Sequence, residues 1–182
     1  MRYILTGAQS VGKSVLLRHF SEKMNTITEV VRNLAKNEGI NVNENGDFEG
    51  QSRIFNTYKN LFETTPGPFI SDRGLTDVIS YTCYNMKDKG VEGEKFLENQ
   101  VNELLKFQEE NPDVVYFYVP IEFNVVDDGF RSLNEDFRKE IDKNIKDLLD
   151  AYNIDYYTIT GTVEERLDTI KEIMKNYGDY YE

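Results

Sequence analysis

Short apolar runs alternate with helical patterns of hydrophobic spacing along the chain. Five runs are apolar or β-branched enough to predict strands, and they cover residues 2–6, 26–31, 69–72, 114–119 and 155–160. Apolar side chains three or four residues apart predict helices over about 13–23, 48–63, 75–87 and 92–110, another ending near 152, and a last one opened by the capping box 162–165. We therefore predict an α/β fold of three layers, in which helices cover both faces of a five-stranded parallel sheet.

The composition narrows the class of protein without identifying a function. A chain of 182 residues suits a single domain with one hydrophobic core. Its formal net charge of −12 disfavours broad attraction to nucleic acid or to an anionic membrane, but it is compatible with a local basic pocket. Cys83 is the only cysteine, so no internal disulfide can form. No apolar run approaches the length of a membrane span, and we expect a cytoplasmic protein that does not contact a membrane.

The stretch GAQSVGKS follows the first predicted strand and opens the first helix. This is the spacing of a phosphate-binding loop, whose glycines let the backbone bend so that its N–H groups point at a nucleotide phosphate. We expect the loop to bind ATP with Mg²⁺, and its predicted nucleotide-binding residues are Gly7, Ser10, Val11, Gly12, Lys13 and Ser14. Lys13 would bridge the β- and γ-phosphates, and the hydroxyl of Ser14 would bind the metal.

A second group of polar residues follows the predicted strand 69–72, in the sequence FISDRG. Ligands of open parallel sheets gather at the carboxyl ends of the strands, where Asp72 and Arg73 would lie. The carboxylate of Asp72 can hold the metal through water or accept a proton, and Arg73 can bind a phosphate. A helix N-cap is the alternative role for Asp72.

The sequence EVVR places Glu29 and Arg32 three residues apart at the end of the second predicted strand. At that position both side chains would face the same site as Ser14 and Asp72. Glu29 could orient or deprotonate a substrate hydroxyl, and Arg32 could bind a substrate phosphate or sugar. The alternative is a surface ion pair.

Residues 121–138, after the fourth predicted strand, are polar and include the sequence DDGFR at 127–131, followed by Arg138. A glycine-jointed segment that carries arginine suits a mobile lid over the nucleotide. We expect Arg131 and Arg138 to contact the nucleotide, and Arg131 to stabilise charge on the transferred group as an arginine finger does. A solvated charged loop is the alternative.

These groups together favour phosphoryl transfer over the other uses of a nucleoside triphosphate. A GTPase switch would contain an Asn-Lys-x-Asp motif, which the sequence lacks. A mechanical ATPase would usually carry a second acidic residue after the strand-end aspartate, where this chain has Arg73. Acid-plus-arginine pairs at two strand ends, with an arginine in the lid, instead predict a kinase.

The combination of GAQSVGKS, EVVR, SDRGLTD and DDGFRSLNEDFR resembles the small P-loop kinases related to the ribosylnicotinamide kinase domain. Phages and bacteria carry many such proteins, which are often described as AAA-type ATPase domains. The chain is also similar to polynucleotide 5′-kinases and to phage kinases of hydroxymethyluracil in DNA. The resemblance implies the P-loop kinase fold with strand order 2-3-1-4-5, Glu29 or Asp72 as general base, and adenine near Gly161. It also implies a protein that is phage-encoded in some cases and acts in the host cytoplasm.

The predicted acceptor is a small nucleoside or nucleotide. Its candidate contacts are Glu29, Arg32, Arg53, Asp72 and Arg73. Aromatic residues on helix 48–62, among them Phe55, Tyr58 and Phe62, and also Tyr81 and Tyr84, suit either base stacking or the core.

Two alternatives stay open at this point. One is a kinase of a hydroxymethylated base or a 5′-hydroxyl in DNA, which would need a basic groove. The other is an ATPase or nucleotide-sensing module acting on a protein partner, in which Glu29 and Arg32 would be buried in ion pairs.

Overall fold

The computed structural model describes residues 1–124 and 129–179. Its strands are β1 (Arg2–Thr6), β2 (Asn25–Ile27), β3 (Phe69–Ser71), β4 (Val114–Tyr118) and β5 (Tyr156–Thr158). Its helices are α1 (Lys13–Phe20), α2 (Val30–Glu38), α3 (Phe48–Thr64), α4 (Leu75–Met86), α5 (Gly90–Glu110), α6 (Glu135–Ala151) and α7 (Val163–Asn176), with a 3-10 helix at Asn43–Asn45. The predicted strands and helices are therefore confirmed in order, and in type except at the end of the second predicted strand.

The five strands form one parallel sheet in the order β2-β3-β1-β4-β5, which confirms both the predicted fold class and the implied strand order. In the centre, Ile4 of β1 is in register with Ser71 of β3 and Tyr116 of β4. Because all strands run the same way, the segments that follow Thr6, Ile27, Ser71 and Tyr118 meet at one edge of the sheet. The residues that we predict to carry the chemistry lie in the segments at this edge.

The core lies between the sheet and its helices. The central strands contribute Tyr3, Leu5 and Phe117, all fully buried, and the rings of Tyr3 and Phe117 stack with centroids 5.8 Å apart. Helix α1 packs against α7, while α4 packs against α3, α5 and α6. Within the described residues, no helix has the length and apolar character needed to cross a membrane.

The second strand is shorter than predicted. β2 ends at Ile27, and the sequence EVVR forms the N-cap and first turn of α2 instead of extending the strand. Glu29 adopts a left-handed backbone conformation with φ of 60°, which turns the chain. Val30 then packs into the core from the helix, so tertiary burial overrides the strand preference of its β-branched side chain.

Candidate functional site

The loop between β1 and α1 packs closely against the residue that follows β4, Val119. Gly7 has φ of 145°, and a Cβ atom built on it would lie 2.3 Å from the carbonyl oxygen of Val119. Only glycine fits such an approach, which explains the first glycine of the GAQSVGKS motif. Gly12 has φ of 95° and precedes α1, whose N-terminus receives no side-chain cap.

Three cationic side chains bind every carbonyl oxygen of residues 7–11. The hydrogen bonds run from Lys13 to Gly7 and Ala8, from Arg138 to Gln9 and Ser10, and from Arg166 to Val11. With its carbonyl groups held by these cations, the loop can direct N–H groups to its other side, where the uncapped end of α1 also carries positive partial charge. This arrangement suits a phosphate group.

The prediction that Arg138 is a nucleotide-binding arginine of an exposed lid is wrong. Arg138 belongs to α6, is 1 % exposed, and donates to the carbonyls of Gln9 and Ser10 at 3.0 and 3.1 Å. It also pairs with Glu135 at 3.2 Å. Its guanidinium therefore supports the loop from behind.

Two further buried charged residues position the loop, and no sequence motif predicted a role for either of them there. Arg166 of α7 is 1 % exposed, donates to the carbonyl of Val11 at 2.7 Å and forms an ion pair with Glu122. Asp77 of α4 accepts hydrogen bonds from the backbone N–H of Gly7 at 3.1 Å and from the hydroxyl of Thr6 at 2.7 Å. These contacts tie the loop to α7 and to α4.

A cavity of about 220 Å³ opens beside the loop. Its lining includes most of the predicted site residues, namely Ser10, Val11, Gly12, Lys13, Ser14, Glu29, Arg32, Asp72, Arg73 and Arg131. Arg18 also borders it, so five basic and two acidic side chains of the described residues face this space. The cavity is therefore locally positive although the chain carries a net charge of −12.

Arg53 does not border the cavity, so the structure does not support its prediction as a substrate contact. It lies on the exposed side of α3, where its Nε donates to Glu38 at 2.7 Å and its second nitrogen to the same carboxylate at 2.8 Å. Of the aromatic candidates on this helix, Tyr58 lines the cavity, whereas Phe62 packs against Phe69 of β3 in the core.

Asp72 is fixed where β3 ends. Its Oδ2 accepts a hydrogen bond from the hydroxyl of Thr28 at 2.6 Å, and its Oδ1 lies 3.5 Å from the hydroxyl of Tyr58. Arg73 lies over the ring of Tyr81 with its Cζ 4.8 Å from the centroid. Burial lowers the pKa of Lys13 to about 8, and Arg73 acts in the same direction while Asp77 and Asp72 oppose it.

Glu29 and Arg32 form an ion pair with 3.2 Å between the carboxylate oxygen and Nε, and their side chains are 43 % and 40 % exposed. The pair therefore lies open to the cavity and is not buried. The described part of the predicted lid contacts the side of the cavity where Glu29 and Arg32 lie. Arg32 lies 4.9 Å from the ring centroid of Phe130, whose carbonyl accepts a hydrogen bond from Asn43 at 3.0 Å. Asp127 and Asp128 lie outside the described residues.

The hydroxyl of Ser14 and the carboxylate of Asp72 are oxygen donors on the cavity wall that could hold Mg²⁺. Among the described residues there is no cluster of three acidic, histidine or cysteine side chains that could hold a metal. Mg²⁺ in nucleotide enzymes is usually held by one or two protein groups together with phosphate oxygens.

A family model for the AAA domain matches residues 2–166. Among proteins of curated function, none matches the sequence. Solved structures share the P-loop kinase fold at low identity. The NadR protein in complex with NR has a TM-score of 0.76 at 16 % identity, and the match covers 100 % of this chain and 52 % of NadR.

Two other similar structures match over nearly their whole lengths. Deoxyadenosine kinase from M. mycoides, with dCMP and dCDP bound, has a TM-score of 0.61 at 14 % identity, and the match covers 97 % of this chain and 100 % of that one. The YorR protein from Bacillus subtilis, in complex with phosphorylated GDP, has a TM-score of 0.58 at 13 % identity and complete coverage of both chains.

Proposed function

The chain belongs to the AAA domain family, and we propose that it is an ATP- and magnesium-dependent kinase of a small nucleoside or nucleotide. The observation that carries the proposal is that one cavity is lined both by the phosphate-binding loop and by an acid and an arginine from each of two strand ends, Glu29 and Arg32 after β2, and Asp72 and Arg73 after β3. A site that only hydrolysed ATP would need the phosphate-binding loop but not the additional acidic and arginine residues.

On the donor side, the loop N–H groups and Lys13 bind the phosphates of ATP. Ser14 and Asp72 would hold Mg²⁺, which supplies charge neutralisation on the phosphates when bound. Arg131, which lines the same cavity, contributes positive charge next to the group that is transferred.

On the acceptor side, Arg32 and Arg73 bind the polar or anionic part of the substrate. When the acceptor is a hydroxyl, its oxygen forms a bond to the γ-phosphorus while the bond from that phosphorus to the bridging oxygen of ADP breaks. The hydroxyl proton passes to a carboxylate, for which Glu29 and Asp72 are the two candidates among the described cavity residues.

The size and charge of the site favour a small acceptor over DNA or a protein partner. The basic side chains converge on one cavity, whereas a DNA kinase would need them along a groove. The half-exposed Glu29–Arg32 pair is accessible to a substrate, unlike the buried pair expected of a sensing module. The similar structures of NadR with NR and of deoxyadenosine kinase with dCMP contain ligands of this class.

The test is transfer from γ-labelled ATP to a panel of nucleosides, mononucleotides, and DNA with normal or hydroxymethylated bases. We expect label on a nucleoside or nucleotide, and at least about a 10²-fold loss in Lys13→Ala, because the lysine stabilises charge in a closed site. Lys146→Ala, which removes an exposed lysine of α6, is the matched control. Label found only in DNA, or released only as free phosphate, would contradict the proposal and favour the corresponding alternative.

A further inference from the structure

Gln9, the third residue of the phosphate-binding loop, is anchored at both its backbone and its side chain. Its carbonyl accepts a hydrogen bond from Nε of the buried Arg138 at 3.0 Å. Its side-chain Oε1 accepts one from the hydroxyl of Tyr81 at 2.9 Å. Only 6 % of Gln9 is exposed, so the amide group is held in one orientation by groups that are themselves buried.

The other end of this amide has no partner. Nε2 of Gln9 is buried and makes no hydrogen bond within the described residues, although Gln9 borders the cavity. A buried donor that is left without an acceptor is unfavourable, and native proteins retain few of them. A fixed, unpaired N–H₂ group next to a cavity is therefore suited to an acceptor that arrives with a ligand.

The position of Gln9 indicates which ligand atom this is. Its backbone belongs to the loop that would bind the phosphates of ATP, and Tyr81, which holds its side chain, lies beneath Arg73. Arg73 directly follows Asp72 at the acceptor side. The amide is therefore connected to the donor side of the cavity through its own backbone and to the acceptor side through Tyr81, and the transferred phosphoryl group must lie between these two sides.

We propose that Nε2 of Gln9 donates a hydrogen bond to a non-bridging oxygen of the terminal phosphoryl group, and that Tyr81 is the positioning residue that orients this amide. The inference rests on the proposed kinase function and adds a neutral donor to the cations that contact the phosphate. It also predicts that the site distinguishes a nucleoside triphosphate from a diphosphate through Gln9.

The test compares the dissociation constants of AMP-PNP and ADP, measured by calorimetry at a fixed Mg²⁺ concentration. A hydrogen bond to a charged group changes affinity by about 10- to 100-fold, so Gln9→Met should lower the preference for AMP-PNP over ADP by this factor. Gln9→Glu should lower it further, because a carboxylate repels the phosphate. Tyr81→Phe, which keeps the ring beneath Arg73 but frees the amide, should give a smaller loss. Gln100→Met, at a buried glutamine of α5 that does not border the cavity, is the matched control and should match wild type.

The order of the variants separates this role from a structural one. Glu keeps the shape of Gln9 and its hydrogen bond from Tyr81, whereas Met loses that bond, so a structural role requires Glu to perform better than Met. That order, or a wild-type preference in Gln9→Met, overturns the inference while leaving the kinase proposal intact. Failure of the wild-type protein to bind either nucleotide overturns both.

Discussion

Two carboxylates face the cavity from different surroundings, and this difference should separate their roles. Asp72 accepts hydrogen bonds from the hydroxyls of Thr28 and Tyr58. Burial lowers the pKa of Lys13, a residue of the phosphate-binding loop, and the negative charge of Asp72 opposes this shift by raising the pKa. Glu29 instead forms an ion pair with the partly exposed Arg32. A carboxylate that accepts the substrate proton contributes about 10²–10⁴-fold to the rate.

We predict that Asp72→Asn lowers turnover and raises the Mg²⁺ concentration needed for half-maximal rate, while Glu29→Gln leaves the Mg²⁺ requirement unchanged. The variant that removes the general base should lose about 10²–10⁴-fold in kcat with little change in ATP affinity. Initial rates measured over a Mg²⁺ titration decide between them. Normal turnover in both amides would show that neither carboxylate takes part.

At single residues, sequence motifs predicted the polar groups that follow strand ends but not those that act from a distance. Asp72 and Arg73 border the cavity as predicted because the carboxyl ends of parallel strands converge. The position of Arg53 could not be predicted from a motif, because its partner, Glu38, is 15 residues away in another helix. Arg138 carried a usable signal, since it shares the apolar stripe of α6 with Ile141 and Ile145 and an arginine there indicates burial.

At the scale of elements, the two arginines of the predicted lid belong to different structures. Arg131 lies in the irregular segment before α6 and borders the cavity, whereas Arg138 lies inside α6 beneath the loop. We predict that Arg131→Ala lowers kcat by about 10²–10³-fold and leaves the free energy of unfolding almost unchanged. Arg138→Met should lower the free energy of unfolding by about 2–4 kcal/mol, because it leaves buried carbonyls without donors.

Urea denaturation and turnover measured on both variants test this contrast. The prediction fails if Arg131→Ala is as fast as wild type, which would make the segment a solvated loop, or if Arg138→Met is as stable as wild type.

The segment 129–134 is attached to the acceptor side of the site. Asn43 donates to the carbonyl of Phe130, Ser132 hydrogen-bonds Glu44, and Arg32 covers the ring of Phe130. Asn43 has a left-handed φ of 56°, which glycine tolerates and alanine does not. We predict that Asn43→Gly raises the KM for the acceptor several-fold and leaves the KM for ATP within about twofold, since one hydrogen bond contributes about 1 kcal/mol. Asn45→Gly, in the same 3-10 helix but exposed, is the control. An equal rise in both KM values would contradict a role limited to the acceptor.

Among the elements, hydrophobic periodicity predicted the long helices and the central strands better than the boundary at residue 28. β1 and β4 are apolar runs buried on both faces, so their sequences leave little ambiguity. The change from β2 to α2 depends on one left-handed residue, Glu29, whose conformation no local rule favours.

At the scale of the whole molecule, the distribution of charge indicates which ligands can bind better than the net charge does. The net charge of −12 predicted weak attraction for polyanions, and the structure adds that five basic side chains converge on one cavity. Such a site can attract a small anion at short range while the remaining surface repels a long one.

This arrangement leads to a prediction about salt. A protein that tracks DNA releases a counterion for each phosphate that it neutralises, so log K falls against log salt with a slope of about −0.7 to −0.9 per phosphate. Because ATP occupies Lys13 and Arg131, binding DNA through the other three basic residues of the cavity, Arg18, Arg32 and Arg73, would give a slope of about −2.1 to −2.7. A mononucleotide presents one phosphate group, and we predict that log(1/KM) for the acceptor falls against log salt with a slope no steeper than about −1. The salt dependence of this KM is measured from initial rates at constant Mg²⁺ and saturating ATP over a series of NaCl concentrations. ATP binding must be shown to be saturated at each salt concentration, because ATP is itself a polyanion. A slope of about −2 or steeper for 1/KM of the best acceptor would contradict a small-molecule substrate and favour DNA.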